Sequence, residues 1–353
     1  MNSQLQSPFS GFWFENLKSK SGPADEKLKW LGLSVIAFVL AVAGAVAEAQ
    51  QPAKVPRIGY LSANSPSAIT AGMEAFRQGL RELGYIEGKN ITIEWRYAEE
   101  KRERLPVLAA ELVRLKADVI VTGGPSATRA AKEATDTIPI VMTFDSDPVA
   151  NRFVASLARP DGNITGLSSL APEISGKQLE LLKEIVPRLS SVAVLGTSTQ
   201  PGNAQALKET ELAARVLKVK FQYLDVLSSK DLKAAFPAAS KGRADAVLVL
   251  QTPILFSGRA QLADLAAKNR LPAMYPRNEY VEDGGLMTYG ANINDLYRRA
   301  ATYVDKVLKG AKPADLPVEQ PVKFELIINL KAAKQIGLTI PPSVLARADR
   351  VIK

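Results

Sequence analysis

The chain has 353 residues, 46% hydrophobic and 23% charged, with 23 Gly and 22 Pro. This ordinary globular usage excludes collagen, coiled coil and wholesale disorder. It contains no cysteine and no histidine, which excludes disulfide scaffolds, thiolate or imidazole metal sites, Cys nucleophiles and Ser-His-Asp hydrolysis. Lys and Arg outnumber Asp and Glu by 45 to 36, a formal charge of +9. The excess is scattered among acids, as in residues 99–104 (EEKRER). No basic stripe interleaves with aromatics, so no nucleic-acid partner is expected.

In chain order, Leu31 to Val46 is an uncharged apolar run preceded by Lys27 and Lys29. Small residues follow, offering cleavage after Ala47 or Ala49. A basic flank, an apolar stretch and a small-residue site predict a signal peptide over residues 1–49 and a periplasmic mature chain. The run falls just short of the ~20 residues a permanent membrane helix needs. Removing residues 1–49 takes four lysines and four acids, so the charge stays at +9.

From Val55 the sequence alternates short apolar runs, polar loops and amphipathic helices. Strand Arg57–Leu61 leads to loop 62–66 and a helix spacing Met73, Phe76, Leu80 and Leu83 at helical period. Strand Ile91–Trp95, helix Leu105–Leu115 and strand Asp118–Thr122 follow, then loop 123–126 (GGPS), helix Ala127–Ala134 and strand Ile138–Phe144. A second set begins with helix Gly176–Ile185 and strand Ser191–Leu195, then helix Ala204–Leu217 and strand Lys220–Val226. Helix Ser229–Ala239, strand Ala244–Leu250, helix Arg259–Lys268 and strand Pro272–Tyr275 complete it. Wholly apolar strands such as 247–250 (VLVL) are covered on both faces, as in a parallel sheet. The fold class is therefore α/β, with two Rossmann-like lobes built on parallel central sheets and a boundary near Asn163–Gly166.

Ligands of such sheets bind outside the carboxyl ends of the strands. The first lobe offers Asn64, Ser65, Gly124, Ser126, Asp145 and Asp147 there; the second offers Thr197, Thr199, Gln200, Gln251, Thr252, Asn278 and Glu279. Gly123 and Gly124 let a ligand approach the backbone, Ser126 can cap the following helix, and its free amides favour a carboxylate. Asp145 or Asp147 could meet an amine, or simply cap the turn at Pro148. A metal site or a glycosidase pair made with Glu279 is an alternative, although no loop of alternating oxygen ligands exists. Tyr60, Phe144, Phe256, Tyr275 and Tyr280 lie near strand ends and are candidates for an apolar pocket, whereas Trp95 reads as core. No catalytic residue, metal ligand or cofactor is assigned.

Several blocks resemble the exported ABC transporter substrate-binding proteins of the tryptophan/tyrosine type. They are residues 153–167 (FVASLARPDGNITGL), 175–184 (SGKQLELLKE), 284–290 (GGLMTYG), 296–304 (LYRRAATYV) and 324–341 (FELIINLKAAKQIGLTIP). The likeness spans Val55 to Lys353. It implies a type I periplasmic-binding-protein fold with three hinge strands, lobe 1 comprising 55–165 and 291–318 and lobe 2 comprising 166–290 and 319–353. It also implies a non-catalytic monomer that closes on a small carboxylate-bearing ligand and delivers it to an ABC permease of the inner membrane. A sensory subunit for a receptor kinase or chemoreceptor is the alternative. Two departures stand out. Residues 146–149 (SDPV) replace the family's frequent Gly-Asp-Pro-Val, and 196–201 (GTSTQP) replace a Trp-Asn-Pro turn in a cleft loop, so the resemblance does not fix which carboxylate, an amino acid or an aromatic acid, is bound.

Overall fold

The computed structural model describes residues 54–353; the signal peptide expected over 1–49 lies outside them. Among the described residues no helix is long and apolar enough to cross a membrane.

The first lobe is built on a five-stranded parallel sheet. Its strands are β1 (Arg57–Ser62), β2 (Thr92–Tyr97), β3 (Val119–Gly123), β4 (Ile140–Asp145) and β5 (Ile164–Ser168), in the order β2-β1-β3-β4-β5. Alternate residues of β3 show why its run Val119–Val121 is wholly apolar. Val119 and Val121 pack with Met73, Phe76 and Leu80 of helix α1 (Thr70–Glu82). Ile120 faces the opposite layer, with Leu108 and Leu112 of α2 (Leu105–Arg114) and Ala127 and Ala131 of α3 (Pro125–Ala134). Helices thus cover both faces, and this run has no solvent-facing side. Leu83, expected on the buried stripe, instead ends α1 and is largely exposed.

The second lobe holds seven strands. They are β6 (Ser191–Gly196), β7 (Lys220–Asp225), β8 (Ala246–Val249), β9 (Ala273–Tyr275), β10 (Met287–Ala291), β11 (Phe324–Asn329) and β12 (Arg350–Ile352), ordered β12-β11-β10-β9-β8-β6-β7. One layer pairs Val192 and Val194 with Leu179 and Leu182 of α4 (Ala171–Ile185). The other packs Ala193, Val247 and Val249 against Leu232 and Phe236 of α6 (Ser229–Lys241). Helix α5 (Asn203–Val216) lies beside α4.

Three features depart from the expected alternation. The boundary placed at Asn163–Gly166 falls inside β5, which pairs with β4, so the chain leaves the first sheet only after Ser168. Short helices α7 (Pro253–Ser257) and α9 (Asn278–Glu282) occupy segments to which no helix was assigned, on either side of α8 (Arg259–Lys268). Finally, β10 and β11 are antiparallel, the one exception to otherwise parallel pairing. The cause is connectivity. After β10 the chain crosses to helix α10 (Ile293–Leu308), which packs on α1, β4 and β5 of the first lobe. It then returns into the second lobe as β11, necessarily running the opposite way.

Candidate functional site

The carboxyl ends of β1, β3 and β4 face those of β8 and β9 across a cleft. Its main cavity, with about 510 Å³ of non-atom space including open solvent, is lined from both lobes. The first lobe contributes Asn64 after β1, Gly124 and Ser126 at the start of α3, and Phe144 of β4. The second contributes Gln200, Gln251, Thr252, Phe256, Arg277 and Tyr280. A further cavity of about 450 Å³ shares Ser146 and Gln251 with the first.

The wall at α3 depends on Gly124. Its φ of 103° lies where L-residues are strained, and a Cβ there would sit 3.3 Å from the Phe144 ring. Gly124 occupies the N-cap position and has no side chain with which to cap the helix. Ser126, expected to be that cap, is the second residue of the helix and points across the cleft, its Oγ donating to Gln200 Oε1 at 2.7 Å. Pro125 fixes the first turn and has no N–H of its own.

The strongest charge in the cleft is one the loop-by-loop reading passed over. Arg277 follows β9 and is only 4% exposed. Its guanidinium lies 4.0 Å from the Phe256 ring centroid and 6.0 Å from that of Phe144. Nε and Nη2 both donate to the Glu279 carboxylate, Nε at 3.2 Å. Burial alone would weaken the guanidinium's hold on its proton, but the Glu279 charge outweighs it and the pKa rises. Burial also pushes the Glu279 carboxyl up; the Arg277 charge and hydrogen bonds win, holding it below the usual range. The readable signal was an Arg directly after an apolar strand with an acid two residues on.

Of the aromatic candidates, Phe144, Phe256 and Tyr280 line the cavity. Tyr280 is fully buried and its hydroxyl has no partner. Tyr60 and Tyr275 lie behind the wall, Tyr60 bonded to Tyr297 at 3.1 Å and Tyr275 stacked on Tyr280. Trp95 packs on Tyr60 with ring centroids 4.9 Å apart, consistent with the core reading.

Asn64, Gly124, Ser126, Gln200, Gln251 and Thr252 therefore meet in the cavity. Thr252 also caps α7, accepting from the Leu255 N–H at 3.1 Å. The remaining candidates fall elsewhere. Asp145 is wholly buried behind the wall, its Oδ1 accepting from the Asp147 N–H at 3.0 Å and from Asn151 at 2.8 Å. Burial raises its pKa to about 7 against those two hydrogen bonds. Asp147 caps its own turn at the Ala150 N–H. Neither aspartate lines the cleft, so the amine contact expected of them has no geometric support. Thr197 is spent inside its lobe, donating to the Val226 carbonyl. Asn278 starts α9 off the wall, and Glu279 reaches the site only through Arg277. Among the described residues no group of three or more acids is placed to hold a metal.

Ser65 and Thr199 mark the rim. The Ser65 N–H donates to Glu100 Oε1 at 3.1 Å, and the same oxygen accepts from Ser257 of the second lobe. Thr199 accepts from Arg102 of the first lobe at 2.7 Å. With Asn64 donating to the Pro253 carbonyl at 3.4 Å, these bonds hold the two walls in contact.

The family model described as "ABC transporter substrate binding protein" matches residues 58–352. The chain belongs to that family. A tyrosine-binding protein of Clostridioides difficile (strain R20291) is 25% identical over 285 residues, covering 81% of this chain and 82% of the relative. Among solved structures, a conserved domain protein of Vibrio cholerae superposes with a TM-score of 0.80 at 30% identity, covering 84% of this chain and all of that one. The domain from Streptococcus pneumoniae in complex with L-Trp gives 0.79 at 27% identity, over 84% of this chain and 99% of its own. This substrate-binding protein accordingly has the two-lobed α/β fold of type I periplasmic binding proteins. The resemblance read from the five sequence blocks is borne out.

Proposed function

We propose that this substrate-binding protein takes up a small carboxylate-bearing ligand in the inter-lobe cleft and hands it to an ABC permease of the inner membrane. The observation that carries this reading is the buried Arg277, held between Phe256 and Phe144 and facing the uncapped start of α3 across the cavity. A cation on one wall and a helix N-terminus on the other favour an anion between them. Bonds spanning the rim favour hinge closure, because a ligand touching both walls stabilises the closed state over the open one. The protein works as a periplasmic monomer after removal of a signal peptide, and it releases its ligand chemically unchanged. Its first lobe comprises 55–168 and 291–318, the initial crossing moved to follow Ser168. Its second lobe comprises 169–290 and 319–353.

Native mass spectrometry of freshly purified protein tests this directly, followed by a thermal-shift panel of amino acids and aromatic acids. A ligand bound only by the folded state raises the melting temperature. A retained carboxylate is expected. A retained neutral sugar, with no stabilisation by any carboxylate, would refute the proposal.

A further inference from the structure

The cleft's charge pattern goes one step beyond carboxylate binding, and the selectivity it implies rests on that proposal. Donors converge on the cavity from both lobes. On the second lobe, Arg277 spends Nε and Nη2 on Glu279, while no hydrogen bond among the described residues uses Nη1. Beside it the buried Tyr280 hydroxyl has no partner. Burial pushes that hydroxyl's pKa up, so it remains a proton donor. On the first lobe, the ten-residue helix α3 enters the cavity at Gly124, Pro125 and Ser126 with no side-chain cap. A buried donor without an acceptor costs free energy, and a carboxylate with two oxygens removes that cost.

An α-ammonium finds nothing comparable. Among the described residues lining the main cavity, Arg277 is the sole charged side chain. Side-chain oxygens on the wall belong to neutral Asn64, Ser126, Ser146, Gln200, Gln251, Thr252 and Tyr280, and that of Gln200 already accepts from Ser126. Glu279 is committed to Arg277, Asp147 to its own turn, and Asp145 lies buried behind the wall. An ammonium would be stripped of water beside a guanidinium with no carboxylate to meet it, a strongly unfavourable placement. Phe144, Phe256, Pro201 and Pro253 give the cavity apolar wall.

We infer that the cleft selects a small organic monocarboxylate with an apolar, ring-sized body and no ammonium group, in preference to the matching amino acid. The discriminating residues are Arg277 and Tyr280, together with the missing acid opposite them.

The test is calorimetric titration of the purified protein with matched sets. These are 3-phenylpropanoate and phenylpyruvate against L-phenylalanine and phenethylamine, and 3-(4-hydroxyphenyl)propanoate and indole-3-propanoate against L-tyrosine and L-tryptophan. At least one acid is expected to bind about tenfold or more tightly than its amino acid, a difference of ~1.4 kcal/mol, with no binding of the amine. Tyr280→Phe, which keeps the ring, should weaken the acid severalfold. The paired Arg277→Gln and Glu279→Gln variant, which strands no charge, should abolish the preference. An amino acid that binds as tightly as its acid would overturn this inference while leaving carboxylate binding intact. An acid preference untouched by either variant would overturn the assigned residues. If no carboxylate of either kind binds, the cleft reading itself falls, and this inference with it.

Discussion

Replacing Gly202 with alanine should prop the cleft open. Gly202 lies at the start of α5 on the second lobe, against Ser146 of the first. A Cβ added there would sit 1.8 Å from Ser146 Oγ and 2.6 Å from Ser146 Cβ. Rotating the serine hydroxyl relieves the first contact but not the second, since the Cβ does not move with χ1. The walls must therefore part by roughly 1 Å to reach ordinary contact distance. That is enough to break the 2.7 Å bond from Ser126 to Gln200 and the 3.4 Å bond from Asn64 to Pro253. At ~1 kcal/mol each, the loss is about 2 kcal/mol, or roughly thirtyfold in Kd. The φ of 84° at Gly202 adds strain of ~1–2 kcal/mol for any L-residue. That strain is present with the cleft open or closed, so it lowers stability without favouring either state. Adding Ser146→Gly removes the clash and keeps the strain, so the double variant should regain affinity but not melting temperature. Calorimetry reads the affinity, and small-angle scattering with saturating ligand reads the compaction. If Gly202→Ala binds within about threefold of the native protein and compacts equally, closure does not bring these loops together as described.

Three further outcomes are expected of the site. Ser126→Ala leaves Gln200 Oε1 without its cross-cleft donor and should weaken ligand binding about fivefold, ~1 kcal/mol, with little change in melting temperature; unchanged affinity would refute the contact. Asp145 has a folded-state pKa raised from 3.8 to about 7 by burial. Its burden on stability is absent below the unfolded value, grows as pH rises between the two, and is constant above, reaching at most ~4 kcal/mol. The melting-temperature advantage of Asp145→Asn should therefore widen from about pH 4.5 to 7.5 and then level off, and a pH-independent difference would contradict it. Glu279→Leu strands the buried Arg277 charge and should cost ~3–5 kcal/mol in urea unfolding, whereas pairing it with Arg277→Met should recover most of that loss.

The elements that alternate cleanly were legible because burial on two faces favours unbroken apolar runs, as in β8 and in Val119–Val121 of β3 and Val192–Leu195 of β6. Strand β5 was missed because its residues 164–168 (ITGLS) carry only two large apolar side chains and end in serine. It is a strand because β4 offers it hydrogen bonds and buries it, which no local pattern encodes. Helices α7 and α9 are five residues each, too short to show a helical period. For the site, strand-end position found the loops but could not tell which residues turn inward. Thr197 and Gln200 sit three apart on one loop; the first bonds its own lobe and the second reaches the cavity. Arg277 escaped notice because a lone arginine is usually a solvated one. Its burial depends on Phe144 of the other lobe, more than a hundred residues away in the chain.

The antiparallel return of β11 has a consequence for the order in which the molecule can be assembled. Helix α10 covers the first sheet, touching α1, β4 and β5, yet the chain reaches it only after threading five of the second lobe's seven strands. A chain emerging from its N-terminus therefore exposes Val119, Val121 and their neighbours on that face until residues 293–308 arrive. Neither lobe is a contiguous folding unit, and the second waits longer still for β11 and β12. The first lobe cannot complete its core early in synthesis, because the helix that closes it, residues 293–308, follows most of the second lobe.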